Sequence, residues 1–280
     1  MALYMIVDTT KCVGCFNCMM ACKDEHVGNS WLPYTEEQQK HDQKWIAPGK
    51  YERGEAPFTE MFFITKLCQH CENAACEKAF PDAVLRRGDG VVLLDAEKAR
   101  GNNAIADACP FGSISWNEER KTAQKCTMCA HLLDDGWKEP RCVQACPLRA
   151  LSIVDGDSEE FKDMQSSSSA PEPLTSADNL PHVLYRGLYR RDTCFLAGAL
   201  AHRDGDIEMA ASGASVKLLK DGKVISDGKT DFFGEFKIDM LRKNSGTYEL
   251  VCSLDGFKPI KREASIGDDC VCLDVLLFEQ

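Results

Sequence analysis

Hydrophobic and polar positions alternate on two different plans along this chain. In the first 160 residues short apolar runs are set between cysteine-rich loops. Tyr4–Asp8 reads as a buried strand, and Val91–Asp95 reads as a second. Ser113–Trp116 and Ala150–Val154 each follow a Cys-Pro pair and read as return strands. The stretch from about Gly28 to Phe58 is polar with scattered Trp, Pro and Gly, and predicts a surface excursion. Gln165–Pro173 has linker composition, rich in Ser and Pro. Beyond it, Ala214–Leu219 alternates, Asp221-Gly222 predicts a hairpin turn, and Asp227-Gly228 predicts another. Phe236–Asp239, Tyr248–Cys252 and Val271–Leu277 add strands. The expectation is an α+β protein: a ferredoxin-like domain over 1–160, a linker over 161–191, and an all-β sandwich over 192–280.

Composition changes the picture through cysteine. Sixteen are present, and twelve lie before residue 150 at two- to four-residue intervals. Disulfide scaffolds are short secreted chains, so a chain of 280 residues with this crowding points to metal. Cys12, Cys15, Cys18 and Cys22 form a complete bacterial-ferredoxin run. Cys68, Cys71 and Cys76 begin a second run, Cys126, Cys129, Cys142 and Cys146 make a third, and Cys109 and Cys146 precede proline. Zinc would accept Cys68-x2-Cys71 with Cys126-x2-Cys129, but does not account for the four-cysteine run or the Cys-Pro sites.

Twelve thiolates serve three [4Fe–4S] clusters, four each. In crossed pairing the fourth cysteine of one run ligates the other cluster. The sets are then Cys12, Cys15, Cys18 with Cys146; Cys22 with Cys126, Cys129, Cys142; and Cys68, Cys71, Cys76 with Cys109. Local pairing, 12/15/18/22 and 126/129/142/146, also makes three sets. Counting does not separate the two, and ferredoxin geometry favours the crossed one. A fourth cluster would need cysteines at Phe80, Ala99, Asn102 and Ile105. All four missing ligands belong to one site.

Charge and the remaining chemistry narrow the role. Formal net charge is −11, and about −17 with three oxidised clusters bound. That field opposes nucleic acid and favours a partner with a basic face. No apolar run has transmembrane length, and Met1–Asp8 lacks signal-peptide features. An anaerobic cytoplasm is therefore expected, with export on a partner's signal the alternative. No catalytic constellation stands out, and Asp134-Asp135 reads as solvated. His26, His70 and His131 neighbour cluster cysteines; they are either ordinary packing residues or donors to sulfur. Cys194, Cys252, Cys270 and Cys272 read as core or surface thiols.

The cysteine half resembles the four-cluster iron–sulfur subunits of the dimethyl sulfoxide reductase family of molybdenum enzymes, with one cluster deleted. Within that family it is most similar to the small subunits of polyphenol transhydroxylases and catechol dehydroxylases. The residues that carry this are Cys22–His26, Trp31–Thr35, Trp116–Glu119, Gln124–Asp135, Pro140–Cys142 and Phe232–Phe236. The resemblance implies a heterodimer in which a large partner carries molybdenum with two pterin guanine dinucleotides. It implies an electron-transfer and structural role here, with hydroxyl transfer or reductive dehydroxylation of a polyphenol on the partner. The alternatives are a quinol-linked subunit of a respiratory reductase and a zinc-stabilised interaction protein. Gly213–Leu218, Thr230–Ile238 and Gly246–Leu250 resemble the collagen-binding-protein B-type, prealbumin-like sandwich, with Gly234 in a tight turn. That likeness implies a spacer or docking module.

Overall fold

The computed structural model describes residues 2–167 and 169–280. Met1 of the expected leaderless start and Ser168 of the expected linker lie outside the described residues. Two compact units are present: Met1–Lys50 with Phe62–Leu188, and Tyr51–Met61 with Tyr189–Gln280.

The first unit is built from short elements around cysteine loops. Leu3–Asp8 (β1) leads into Asn17–His26 (α1). Ile46–Arg53 (β2) and Glu60–Leu67 (β3) form a two-stranded pair. Ala75–Ala79 (α2), Val84–Arg86 (β4) and Val92–Leu94 (β5) follow. Ala104–Asp107 (α3), Ile114–Asn117 (β6), Thr122–Lys125 (β7) and Ala130–Asp134 (α4) come next. Arg141–Gln144 (α5), Leu151–Asp155 (β8) and Glu159–Ser166 (α6) lead to Glu172–Pro173 (β9) and Val183–Arg186 (β10). The strands expected at Tyr4, Val91, Ser113 and Ala150 correspond to β1, β5, β6 and β8. The pairs β4–β5 and β6–β7 are antiparallel hairpins beside the cysteine loops.

The main sheet of this unit runs β8-β1-β10-β9. β1 pairs antiparallel with β8, Met5 opposite Ile153, and parallel with β10, Met5 opposite Val183. Met5, Val7, Val183 and Tyr185 are fully buried, and each such aliphatic side chain contributes about 1.5–3 kcal/mol by leaving water. Two expectations differ here. The segment 161–191 holds a helix and two sheet strands, because Val183, Leu184 and Tyr185 supply apolar surface that completes the sheet beside β1. The stretch 28–58 keeps exposed segments but is anchored by its tryptophans: Trp45 is buried against His26 at 4.7 Å and Trp31 stacks on His131 at 4.5 Å.

The second unit is two sheets. One is Ile207–Ala210 (β12), Thr193–Asp204 (β11) and Glu235–Arg242 (β15), with Val271–Cys272 (β18) and Leu276–Phe278 (β19) pairing parallel to β11. The other is Lys223–Lys229 (β14), Ser215–Lys220 (β13), Gly246–Ser253 (β16) and Ile260–Ile266 (β17), all antiparallel. Leu196 and Leu200 from the first meet Val216, Leu218, Leu250 and Cys252 from the second in one core. Asp221-Gly222 makes the expected turn, both residues at positive φ. Asp227-Gly228 does not turn; it continues β14 opposite Lys217 and Val216. Gly234 has φ +78°, and a Cβ there would stand 2.4 Å from the Leu200 carbonyl oxygen, so the turn before β15 requires glycine.

Candidate functional site

Helices α1 and α5 pack together, and each carries cysteine at i and i+4 around its end: Cys18 and Cys22, Cys142 and Cys146. The preceding loop turns through Gly14 at φ +66°, where a Cβ would lie 2.4 Å from the Phe63 ring. Phe16 then enters α1 in the left-handed region. A loop bent this way brings Cys12 and Cys15 back over the start of the helix.

Cys12, Cys15, Cys18 and Cys146 line one pocket, walled largely by apolar groups such as Val13, Phe16 and Leu148. The Cys146 sulfur accepts from the Ala150 N–H at 3.2 Å, and Cys12 Sγ lies 3.6 Å from Thr65 Oγ1. Burial pushes the Cys18 thiol up to about 12, with Cys12, Cys146 and Cys15 adding to it and the Met19 N–H opposing. Cys68, Cys71, Cys76 and Cys109 line a second pocket together with His70 and Lys125. There burial raises Cys71 to about 12, helped by the other three thiols.

The remaining four, Cys22, Cys126, Cys129 and Cys142, are all buried. Burial lifts Cys142 well above the usual thiol range, followed by the influence of Cys129, Cys126 and Cys22. Met128 and Cys129 both sit at positive φ, and the Met128 N–H reaches Cys126 Sγ at 3.4 Å. This is a strained loop aimed inward, of the kind metal sites use.

These sets suit a polynuclear cluster. Each offers four thiols, and burial raises Cys18, Cys71 and Cys142 above the ordinary thiol range. A cationic iron core replaces those protons, since coordinated sulfur is deprotonated. Among the described residues no three of Cys, His, Asp and Glu close on a single-ion position. A four-iron cube takes one thiolate per iron, so it holds its ligands wider than one tetrahedral ion does.

Where a fourth cluster would need ligands, Ala99 and Ile105 are fully buried, packed with Val84, Val92, Leu94 and Ile114, and partly buried Phe80 packs against this group. Asn102 is exposed and stands outside this group. Three of the four positions therefore form apolar core.

The three histidines near the cysteines are buried. His26 is held neutral by burial, with His131 adding, down to about 3. His131 Nε2 is 3.1 Å from Glu25 Oε1. His70 Nδ1 accepts from the Val92 N–H at 3.1 Å. Asp134 is exposed, as the solvated expectation has it, and is ion-paired there: Arg87 binds it at 2.7 and 2.8 Å and Tyr34 donates at 2.6 Å. Those bonds, Arg87's first, pull its carboxyl down to about 2.

Sequence reasoning missed Lys125, a buried lysine whose Nζ donates to the carbonyls of Val92 and Cys126. Its only signal was the Lys-Cys pair, indistinguishable from a surface charge. In the second unit Cys194 donates to the Asp268 carbonyl at 3.3 Å, Cys270 Sγ accepts from the Phe195 N–H, and Cys252 is buried in the core.

Known proteins support an iron–sulfur chain. The model of the 4Fe-4S dicluster domain matches residues 59–156. The pyrogallol hydroxytransferase small subunit of Pelobacter acidigallici is 38% identical over 257 residues, covering 90% of this chain and 91% of the relative. The protein belongs to the pyrogallol hydroxytransferase small-subunit family. This family lies among the iron–sulfur subunits of the dimethyl sulfoxide reductase group. A putative dimethyl sulfoxide reductase iron–sulfur subunit from Halobacterium salinarum is 33% identical, over 56% of this chain and 67% of its own. An anaerobic dimethyl sulfoxide reductase chain from Escherichia coli K12 is 30% identical, over 61% of this chain and 81% of its own. Solved Klebsiella pneumoniae 5-hydroxyisourate hydrolase aligns at TM-score 0.26 and 17% identity, over 31% of this chain and 92% of its own, too weak a likeness to bear on the fold. As a member of the pyrogallol hydroxytransferase small-subunit family, the protein is an iron–sulfur electron-transfer subunit of a molybdoenzyme with a large catalytic partner. No helix among the described residues is long and apolar enough to cross a membrane.

Proposed function

We propose that the protein holds three [4Fe–4S] clusters on the crossed ligand sets: Cys12, Cys15, Cys18, Cys146; Cys22, Cys126, Cys129, Cys142; and Cys68, Cys71, Cys76, Cys109. The observation that carries this is the gathering of thiols by set. Cys146 lines a pocket with Cys12, Cys15 and Cys18, while Cys22 has Cys126 and Cys129 as its foremost thiol neighbours. When bound, the clusters supply one-electron carriage. The chain's own residues fix the sulfurs, exclude water through their apolar walls, and donate N–H groups to sulfur, which tune potential.

The partner is a large subunit carrying molybdenum and two pterin guanine dinucleotides. The reaction on it is hydroxyl transfer or reductive dehydroxylation of a catechol- or pyrogallol-type phenol. Support comes from the 38% identity to a pyrogallol hydroxytransferase subunit over nearly the whole length of both chains. The C-terminal sandwich is a prealbumin-like docking or spacer module, consistent with its two-sheet core.

Anaerobically purified complex tests this. About twelve iron and twelve sulfide per small subunit are expected; zinc without sulfide would sink the cluster reading. Cys68→Ser then asks whether the relay is obligatory. Dehydroxylation must fall with loss of that cluster, whereas unchanged turnover rules out an obligatory path through it.

A further inference from the structure

Val92 holds two buried polar side chains at one cysteine pocket. Its N–H donates to His70 Nδ1 at 3.1 Å, and its carbonyl accepts from Lys125 Nζ. Lys125 is 2% exposed and His70 is 1% exposed. Both line the pocket of Cys68, Cys71, Cys76 and Cys109.

The polar accounting at these two residues is incomplete. Lys125 Nζ meets two backbone carbonyls, Val92 O and Cys126 O, the latter at 3.1 Å. Carbonyl dipoles satisfy its hydrogens but supply no counter-charge, and a buried ammonium without an anion is strongly destabilising. His70 presents a related gap. Because Nδ1 accepts from Val92, the ring proton of the neutral imidazole sits on Nε2. His70 Nε2 is buried with no hydrogen-bond partner among the described residues. One cation and one N–H donor therefore lack an anionic or acceptor group, and both border the same four thiols.

We infer that Lys125 and His70 are potential-setting residues for the cluster on Cys68, Cys71, Cys76 and Cys109, Lys125 as its buried counter-cation and His70 as an Nε2–H donor to its sulfur. The inference rests on the cluster reading above. A four-iron cube with four thiolates is anionic when oxidised and gains one more negative charge on taking an electron. A fixed ammonium and an N–H donor favour the more negative form, so they move the midpoint upward. Val92 is the positioning residue, since both bonds run to its peptide groups. The neighbouring space filled by Ala99 and Ile105 carries no further cluster ligands.

The test is a redox titration of the whole complex followed by electron paramagnetic resonance, with Cys68→Ser identifying which signal belongs to this cluster. Lys125→Met should shift that midpoint to lower potential, and Lys125→Arg should restore it. His70→Leu should shift it in the same direction by less. Full iron content with an unmoved midpoint in both Lys125→Met and His70→Leu overturns the inference. If Lys125→Met does not take up iron, His70→Leu decides alone by the same criterion. If neither variant takes up iron, wild-type complex labelled with 15N-histidine decides. Nitrogen modulation in the spin echo of the reduced cluster supports the donor, and its absence overturns it. A wild-type complex with far fewer than about twelve irons per small subunit would instead fail the cluster reading itself.

Discussion

Arg53 grips Asp239 through two parallel hydrogen bonds, of 2.9 and 2.6 Å, although 186 residues separate them. Arg53 also donates twice to Glu60, and its guanidinium lies 5.2 Å from the Phe195 ring centre. Lys237 completes the group beside Glu60 and Asp239. The Arg53 side chain is 7% exposed, the two carboxylates about a quarter. Arg53→Met should leave Glu60 and Asp239 facing each other with less cation between them. Loss of a buried partner costs about 3–5 kcal/mol, and the partial solvation of these carboxylates sets the expectation at the low end, about 3 kcal/mol. Urea unfolding of the variant checks this. A loss under about 0.5 kcal/mol, the scale of an ordinary surface change, would show the group to be inert.

Ile105 occupies one of the four positions where a further cluster ligand would stand, and it is fully buried among Val84, Val92 and Leu94. Ile105→Ala should cost about 2–5 kcal/mol through the cavity it opens. Asn102→Ala, at the exposed position of the same former site, should change stability by less than about 0.5 kcal/mol. Equal effects of the two substitutions would contradict the packing.

His26 makes stability pH-dependent. Its ordinary value is 6.5, and burial beside His131 lowers it to about 3 in the folded state. Between those values the unfolded state takes up a proton that the folded state refuses. Its contribution is complete above pH 6.5 and is lost as pH falls toward 3, at about 1.4 kcal/mol per pH unit. His26→Phe, which keeps an aromatic ring against Trp45, should remove one proton's worth of that slope. Parallel slopes for variant and parent between pH 6.5 and 5 would refute it.

How much of this was legible in advance depends on the range of each interaction. Cysteine spacing is local, so the runs at Cys12 and Cys126 declare themselves. The turn at Asp221-Gly222 does so for the same reason, while Asp227-Gly228 shows that the dipeptide alone does not turn a strand that has a partner along its length. Strand β10 was hidden because four residues after a Ser- and Pro-rich stretch carry little signal, and what makes them a strand is β1, nearly 180 positions earlier. β11 was hidden differently: Cys194–Leu200 is nearly all apolar, with no alternation to read, since the strand is buried on both sides of its path. Lys125 escaped because lysine is almost never buried without a partner.

Four cysteines lie in the second unit, and they differ in access. Cys252 and Cys194 are buried, whereas Cys270 and Cys272 are partly open. Burial raises Cys252 to about 11, which suppresses its reactive thiolate at neutral pH. If the other twelve thiols hold clusters as proposed, alkylation of the native complex at pH 8 should mark Cys270 and Cys272 first. Peptide mapping reads the order, and early label on Cys252 would contradict the packing.

The parallel strand β10 beside β1 has a consequence for biosynthesis. β1 and the first cysteine loop are made well before the strand that flanks β1 on one side, which ends only at Arg186. Domains generally fold as units once their whole length has emerged. Cys12, Cys15 and Cys18 are therefore made before both Cys146 and the strand that completes the sheet. Completion of the sheet beside the first cysteine loop therefore depends on a much later strand that bears no cysteine.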